Sequence, residues 1–191
     1  MAMFGLWTHP QKSGVLSKIE RDEMEWVNSS GGPLICGEMA IATRWRGVFG
    51  LSSRSSVKSD YARACDAKEY LEVLRCGDGN VLVLGDEPLQ SSFLRTESGG
   101  LTIARWMYAS SEDRALEFLR ASSKSETLAS PIRFEINGDC LLMFDAAIGG
   151  ENLTDHQMTM LERGFYSITT ERVISKGVLD FIVHRFIGLT M

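Results

Sequence analysis

The stretch RFEINGDCLLMFDAA, residues 133–147, alternates apolar and polar side chains up to Asn137-Gly138 and then runs apolar from Cys140 to Phe144 before an acid, Asp145. A period of two marks a strand with one buried face, and an unbroken apolar run of this length suits a strand buried on both. Asn-Gly is the dipeptide best able to supply the positive-φ positions of a two-residue turn. The expectation is an antiparallel pair with Phe134 opposite Leu141 and Ile132 opposite Met143, on a face that also holds Ile136. The other face carries Arg133 and Glu135 but also Leu142 and Phe144. The second strand is therefore interior to its sheet and the first lies nearer an edge.

Working outward, turn signals recur at short intervals: Gly31-Gly32-Pro33, Gly77-Asp78-Gly79-Asn80, Gly99-Gly100, Gly149-Gly150 and Lys176-Gly177. Short apolar runs lie between them, which is the punctuation of a β-rich chain. A turn at Lys176-Gly177 sets Ile174 opposite Leu179 and places Tyr166, Ile168, Phe181 and Val183 on one face. Thr169, Glu171, Asp180 and His184 take the other, so a buried His184 contradicts this register. In EWVNSSGGPLI, residues 25–35, the small residues, the glycines and Pro33 predict a close chain reversal, with Trp26 covering the turn from outside.

Two helices interrupt the strands. DYARACDAK, residues 60–68, has Ser59 or Asp60 as its cap. SSEDRALEFLRASS, residues 110–123, has Ser110 or Ser111 as its cap, acids in its first turn, and an apolar stripe of Ala115, Leu116, Phe118 and Leu119 that packs on a sheet. An internal echo also runs through the chain. GDGNVLVLGDEP followed by GGLTIARW resembles NGDCLLMFDAA followed by ERGFYSITT, in the order turn, apolar strand, acid, next strand. The fold class is α+β, predominantly antiparallel sheet with one or two packed helices and two related β units. Residues 1–25 form a loosely attached N-terminal arm, and residues 26–191 a single α+β domain.

A chain of 191 residues, 44% hydrophobic and 24% charged, has the composition of a globular protein with a substantial core. Its formal net charge of −5 argues against direct phosphate-backbone binding and suits a basic protein partner. Cys36, Cys65, Cys76 and Cys140 form no C-x-x-C pair, and all but Cys65 adjoin strand-like apolar residues, as small buried hydrophobes do. The N-terminus lacks the cationic start, apolar run and cleavage site of a secretory signal, and no stretch is long and apolar enough to span a bilayer. The expected location is the cytoplasm.

Candidate chemistry is sparse. Asp86, Glu87 and Asp145 follow apolar strands, and a pair of strand-end carboxylates is what a small hydrolase needs. The same GDEP segment is also good turn chemistry, its acids solvated or accepting backbone N–H bonds. His9, His156 and His184 have no second ligand at metal spacing, and no serine lies in a nucleophile elbow. No catalytic residue, cofactor or metal is expected. Among the tryptophans, Trp106 belongs to the core edge, whereas Trp45, in the basic segment TRWRG, is the one expected to be exposed.

WVNSSGGPLI, DYARAC, GDGNVLVLGDEPLQSS, the ARWMYA strand and the segments RFEI and LLMFDAA, in that order over residues 26 to about 148, resemble a family of immunity proteins from bacterial polymorphic toxin systems, immunity protein 21. The chain departs from that family at Cys36-Gly37-Glu38, where the family continues an aliphatic run. The resemblance implies a non-catalytic cytoplasmic protein that binds a cognate toxin domain. Candidate partner-binding residues on this reading are Trp45 and Tyr61 as anchors and Asp60, Asp86, Glu87 and Asp145 as an acidic rim. The alternatives are a small hydrolase using Asp86 and Asp145, or an adaptor or chaperone for a secreted effector.

Overall fold

The computed structural model describes residues 24–49, 58–85, 87–96, 99–121 and 125–190. Its strands are β1 (Leu34–Glu38), β2 (Glu72–Cys76), β3 (Gly79–Leu84), β4 (Ser91–Arg95), β5 (Leu101–Ala109), β6 (Glu126–Ile136), β7 (Cys140–Asp145), β8 (His156–Met160), β9 (Gly164–Ser175) and β10 (Leu179–Leu189). The helices are α1 (Met39–Ala42), α2 (Asp60–Ala64) and α3 (Glu112–Ala121), with a 3-10 turn at Gly47–Phe49. The strands form two five-stranded sheets, ordered β2-β3-β1-β7-β8 and β4-β5-β10-β9-β6, with antiparallel pairing throughout. The α+β class read from the sequence is the class found.

The apolar side chains divide into three layers, each traceable to strand alternation. Between the sheets lie Cys36, Leu82, Leu84, Leu141 and Met143 from the first sheet against Leu101, Ile103, Ile168 and Phe186 from the second. The outer face of the first sheet, with Ile35, Val81, Val83, Leu142 and Phe144, is covered by Ala42, Trp45 and Ala64 from the helical segments. The outer face of the second sheet, with Ala104, Val173, Phe181 and Val183, is covered by Ala115, Leu116 and Leu119 of α3. β1, β3, β7 and β10 are therefore buried on two faces, which is why they read as apolar runs.

The echo in the sequence has a structural counterpart. Its first strands, β3 and β7, flank β1, and its second strands, β5 and β9, flank β10. Each half of the echo thus contributes one strand to each sheet, and the two β units interlock.

Local signals set the helices. Ser59 Oγ accepts the Ala62 N–H at 3.1 Å and caps α2, which ends at Ala64, short of the span expected from the sequence. Ser111 Oγ accepts the Arg114 N–H at 3.4 Å at the start of α3, whose apolar stripe lies on the second sheet as expected.

Three expectations fail in instructive ways. The Asn137-Gly138 turn does not join paired strands: β6 pairs with β9 at the edge of the second sheet, while β7 lies between β1 and β8 in the first. The faces were nonetheless correct, because Phe134, Ile136, Leu141 and Met143 meet in the layer between the sheets. The chain crosses the core at this turn, held there by Glu38, whose carboxylate accepts the N–H groups of Asn137 (2.9 Å) and Gly138. Alternation states which face is apolar, and an apolar partner across the core satisfies it as well as one beside it.

The β9–β10 register is one residue away from the expected pairing, with Leu179 opposite Ser175 and His184 opposite Thr170. His184 is fully buried, at 0% exposure, on the face that meets the first sheet, while Phe181 and Val183 face α3. A central strand with both faces buried offers no solvent side from which to read the register.

Trp26 does not cover the glycine turn. It stacks on Trp106 and Phe181, with centroids 5.1 and 6.3 Å away, and its Nε1–H donates to Glu112 of α3 at 3.1 Å. Val27 next bridges Ser91 at the edge of the second sheet, so NSSGGP carries the chain from that sheet to the centre of the other.

Candidate functional site

Most of the residues singled out from the sequence gather at one end of the first sheet, where Leu34 stands between Leu84 and Asp145. The end of β3, the end of β7, the Gly31-Gly32-Pro33 turn and α2 converge there, around a pocket of about 210 Å³ lined by Gly32, Ala64, Cys65, Gly85 and Pro88.

Asp145 is buried, at 2% exposure, which corrects its expected place on a charged rim. Its carboxylate accepts the Ser30 N–H and, at 2.8 Å, the Ala147 N–H. The neighbouring Ala146 N–H donates to the Pro33 carbonyl at 3.1 Å. The acid is consumed in fastening the glycine turn to the end of β7, and the reason is local: a crossing segment of small residues has backbone donors that no ladder can satisfy.

Trp45 is also buried, at 1% exposure, against the expectation that it is exposed. Its indole N–H donates to the Ala146 carbonyl at 2.7 Å, while its neighbours Arg44 and Arg46 are the exposed residues of TRWRG. Arg44 pairs with Asp78 at the surface. The segment is amphipathic across a single residue, with its one large apolar side chain turned into the layer over the first sheet.

Asp60 is partly buried and doubly engaged, by the Arg46 N–H at 3.1 Å and by the Arg63 guanidinium at 3.1 Å. Tyr61 is half-buried against Gly32, whose missing Cβ leaves the space the ring occupies. A hydrogen bond with the Cys65 side chain and the field of that group hold the Tyr61 phenol above its ordinary pKa, with partial burial and Asp145 adding to the effect. Glu87 is exposed, and Asp86 lies outside the described residues. Cys36 and Cys76 are buried and Cys65 is exposed, as their sequence contexts indicated, whereas Cys140, expected to be buried, is only partly so.

The second sheet holds the most deeply buried cation. Arg105, 1% exposed, donates to the carbonyls of Tyr70 (3.1 Å), Leu84 (3.4 Å) and Glu87, and so ties the second sheet to the segments that lead into β2 and out of β3. Among the described residues no group of three or more His, Cys, Asp or Glu side chains is placed to hold a metal ion. Nor is any helix among them long and apolar enough to cross a membrane.

Sequence reasoning missed the exposed apolar residues. Met158 and Met160 of β8 are 52% and 59% exposed, while Gln157 and Thr159, which alternate with them, face the other sheet. The alternation of HQMTM is visible in the sequence, but its usual reading points the methionines inward.

Asp145 and Trp45 are thus spent on the chain's own backbone, and Asp60 on backbone and the Arg63 guanidinium, while large apolar residues such as Met158 and Met160 stand on the surface. The chain belongs to the Immunity protein 21 family, whose model matches residues 25–177. Membership gives it an immunity role and implies a toxin protein as its partner. No curated protein and no solved structure matches the chain. The matched span ends at Gly177, so β10, the central strand of the second sheet, lies beyond it.

Proposed function

We propose that this chain protects the cell that makes it by binding a cognate toxin domain in the cytoplasm and holding it in a stable, inactive complex, without itself transforming a substrate. The observation that carries the reading is the family match over residues 25–177. The fate of the carboxylates supports it. A hydrolase built on Asp145 needs that acid free to move a proton at a substrate, whereas here backbone N–H groups occupy it inside the fold. The net charge of −5 favours a basic partner and speeds encounter with one. A complex of ordinary tightness buries about 1,600 Å² in total.

The test is co-expression with a candidate toxin, taken as the C-terminal domain of any large secreted protein found encoded beside this gene. The expected result is that the domain alone stops growth, that co-expression restores it, and that the two proteins co-purify. Co-purification with the domain still toxic assigns the chain an adaptor role, and restored growth without a complex, lost on removing a single carboxylate, assigns it an enzymatic one.

A further inference from the structure

We propose that the free edge of β8, with the cleft beside it, receives an extended basic segment of the toxin; this rests on the toxin-binding reading above. Among the described residues β8 ends the first sheet and pairs only with β7. The other edges are blunted: β2, at the opposite end of the first sheet, carries the charged Glu72 and Arg75, and its Arg75 carbonyl accepts from the Arg63 guanidinium at 2.6 Å. β4 is closed by the Val27 bridge and by Gln157, whose Oε1 accepts the Phe93 N–H at 2.7 Å, and β6 carries Pro131 and two register shifts. β8 has neither proline nor lysine, and its backbone groups on the outer side are those that an added strand pairs with.

The side chains of β8 are arranged in the reverse of an ordinary edge strand. Its inward polar residues hold the two sheets together, Gln157 binding β4 and Thr159 Oγ1 accepting from Arg95 at 3.2 Å, while His156 is exposed on the outer face. Its apolar residues, Met158 and Met160, stand opposite Leu142 and Cys140 on the outer face and are exposed. Unbranched thioethers adapt to an irregular partner surface, so the strand offers backbone valency and apolar contact together.

Met160 also lines a cleft of about 670 Å³ whose floor is Leu101, Tyr166 and Phe186. Asp139 and Glu162 stand at this cleft and make no ion pair among the described residues. Among the described residues its one lining cation is Arg95, which donates to the Thr159 hydroxyl and, at 3.4 Å, to the Gly99 carbonyl, both neutral groups. Two carboxylates against one guanidinium leave the cleft net negative, which favours a lysine or arginine in the occupant. A segment with alternating apolar and basic residues therefore places its backbone on β8, its apolar side chains on Met158 and Met160, and its cations at Asp139 and Glu162.

The experiment measures association and dissociation between the full chain and the purified toxin domain that the co-expression test identifies, across a salt series. Asp139→Lys with Glu162→Lys is expected to slow association roughly tenfold at low salt and to flatten its salt dependence. Met158→Glu adds an acid, yet is expected to weaken the complex roughly tenfold through lost apolar contact. Glu69→Lys with Glu117→Lys, an equal charge change elsewhere, is expected to stay within about twofold of the parent. Unchanged melting temperatures confirm that these exposed substitutions leave the fold intact. Binding by both β8-side variants at parental strength overturns the assignment while the toxin-binding reading stands. Absence of binding and of protection by the parent chain removes that reading and this inference with it. A dimer of the chain alone that Met158→Glu dissolves gives the surface to a second copy and also overturns it.

Discussion

The Asp145 carboxylate accepts the backbone N–H of Ser30, joining residues 115 apart in sequence at the point where the chain passes from one sheet to the other. An acid at a strand end, in reach of a glycine turn, is here a fastening. Asp145→Ala leaves the Ser30 and Ala147 donors without their acceptor, at a cost of about 2–4 kcal/mol. Asp145→Asn keeps one acceptor oxygen and is expected to cost less. Urea unfolding of the two variants checks the order, and a parental midpoint for both denies the structural role.

His184 makes stability depend on pH. Burial, with the Arg105 charge adding to it, lowers its pKa well below the ordinary imidazole value, so the folded chain holds it neutral. The unfolded chain takes up its proton below about pH 6.5. The unfolded state therefore binds more protons on the acid side, and stability falls as pH drops through that value, by up to about 1.4 kcal/mol per pH unit until the folded pKa is reached. His184→Gln removes this component. Comparing denaturation midpoints of parent and variant at steps from pH 7.5 to 5 should show the gap between their slopes opening below about pH 6.5; parallel curves count against it.

Trp45 separates its packing from its hydrogen bond. Trp45→Phe loses the bond to the Ala146 carbonyl and part of the ring, and is expected to cost about 1–3 kcal/mol. Trp45→Ala opens a cavity over the first sheet, at about 3–5 kcal/mol. Thermal melts rank the pair, and loss of toxin binding at full stability would return Trp45 to a partner-contact role.

Gly31 and Gly32 are required for different reasons. Gly31 has a φ of +112°, where a side chain is strained, whereas a Cβ at Gly32 would lie 2.7 Å from the Tyr61 hydroxyl. Gly31→Ala is expected to cost about 1–2 kcal/mol without disturbing Tyr61. Gly32→Ala should displace the ring and shift the absorbance titration of Tyr61 toward that of a solvated phenol. Identical titrations in both variants would show that the ring does not rest on the turn.

Legibility followed the range of the interaction. The Ser59 and Ser111 caps, the α3 stripe and the burial of β7 on both faces depend on near neighbours, and each was readable from residue type and spacing. The fates of Trp45 and Asp145 were not, because Trp45 finds its acceptor at the Ala146 carbonyl and Asp145 one of its donors at the Ser30 N–H, 101 and 115 residues away along the chain. The exposure of Met158 and Met160 was hidden for a related reason: HQMTM alternates equally well in either direction, and only the demand of the β4 edge for Gln157 turns its polar side inward.

The residues by themselves determined a β-rich α+β chain, its turns, its caps, and an apolar face for each strand, because these follow from side-chain chemistry over a few positions. Only the tertiary structure decided that β6 and β7 face each other across the core, that β10 lies at the centre with His184 inside, and that the strand-end acid binds backbone. An apolar face is satisfied by any apolar surface brought against it, and which surface arrives is settled by how the whole chain closes.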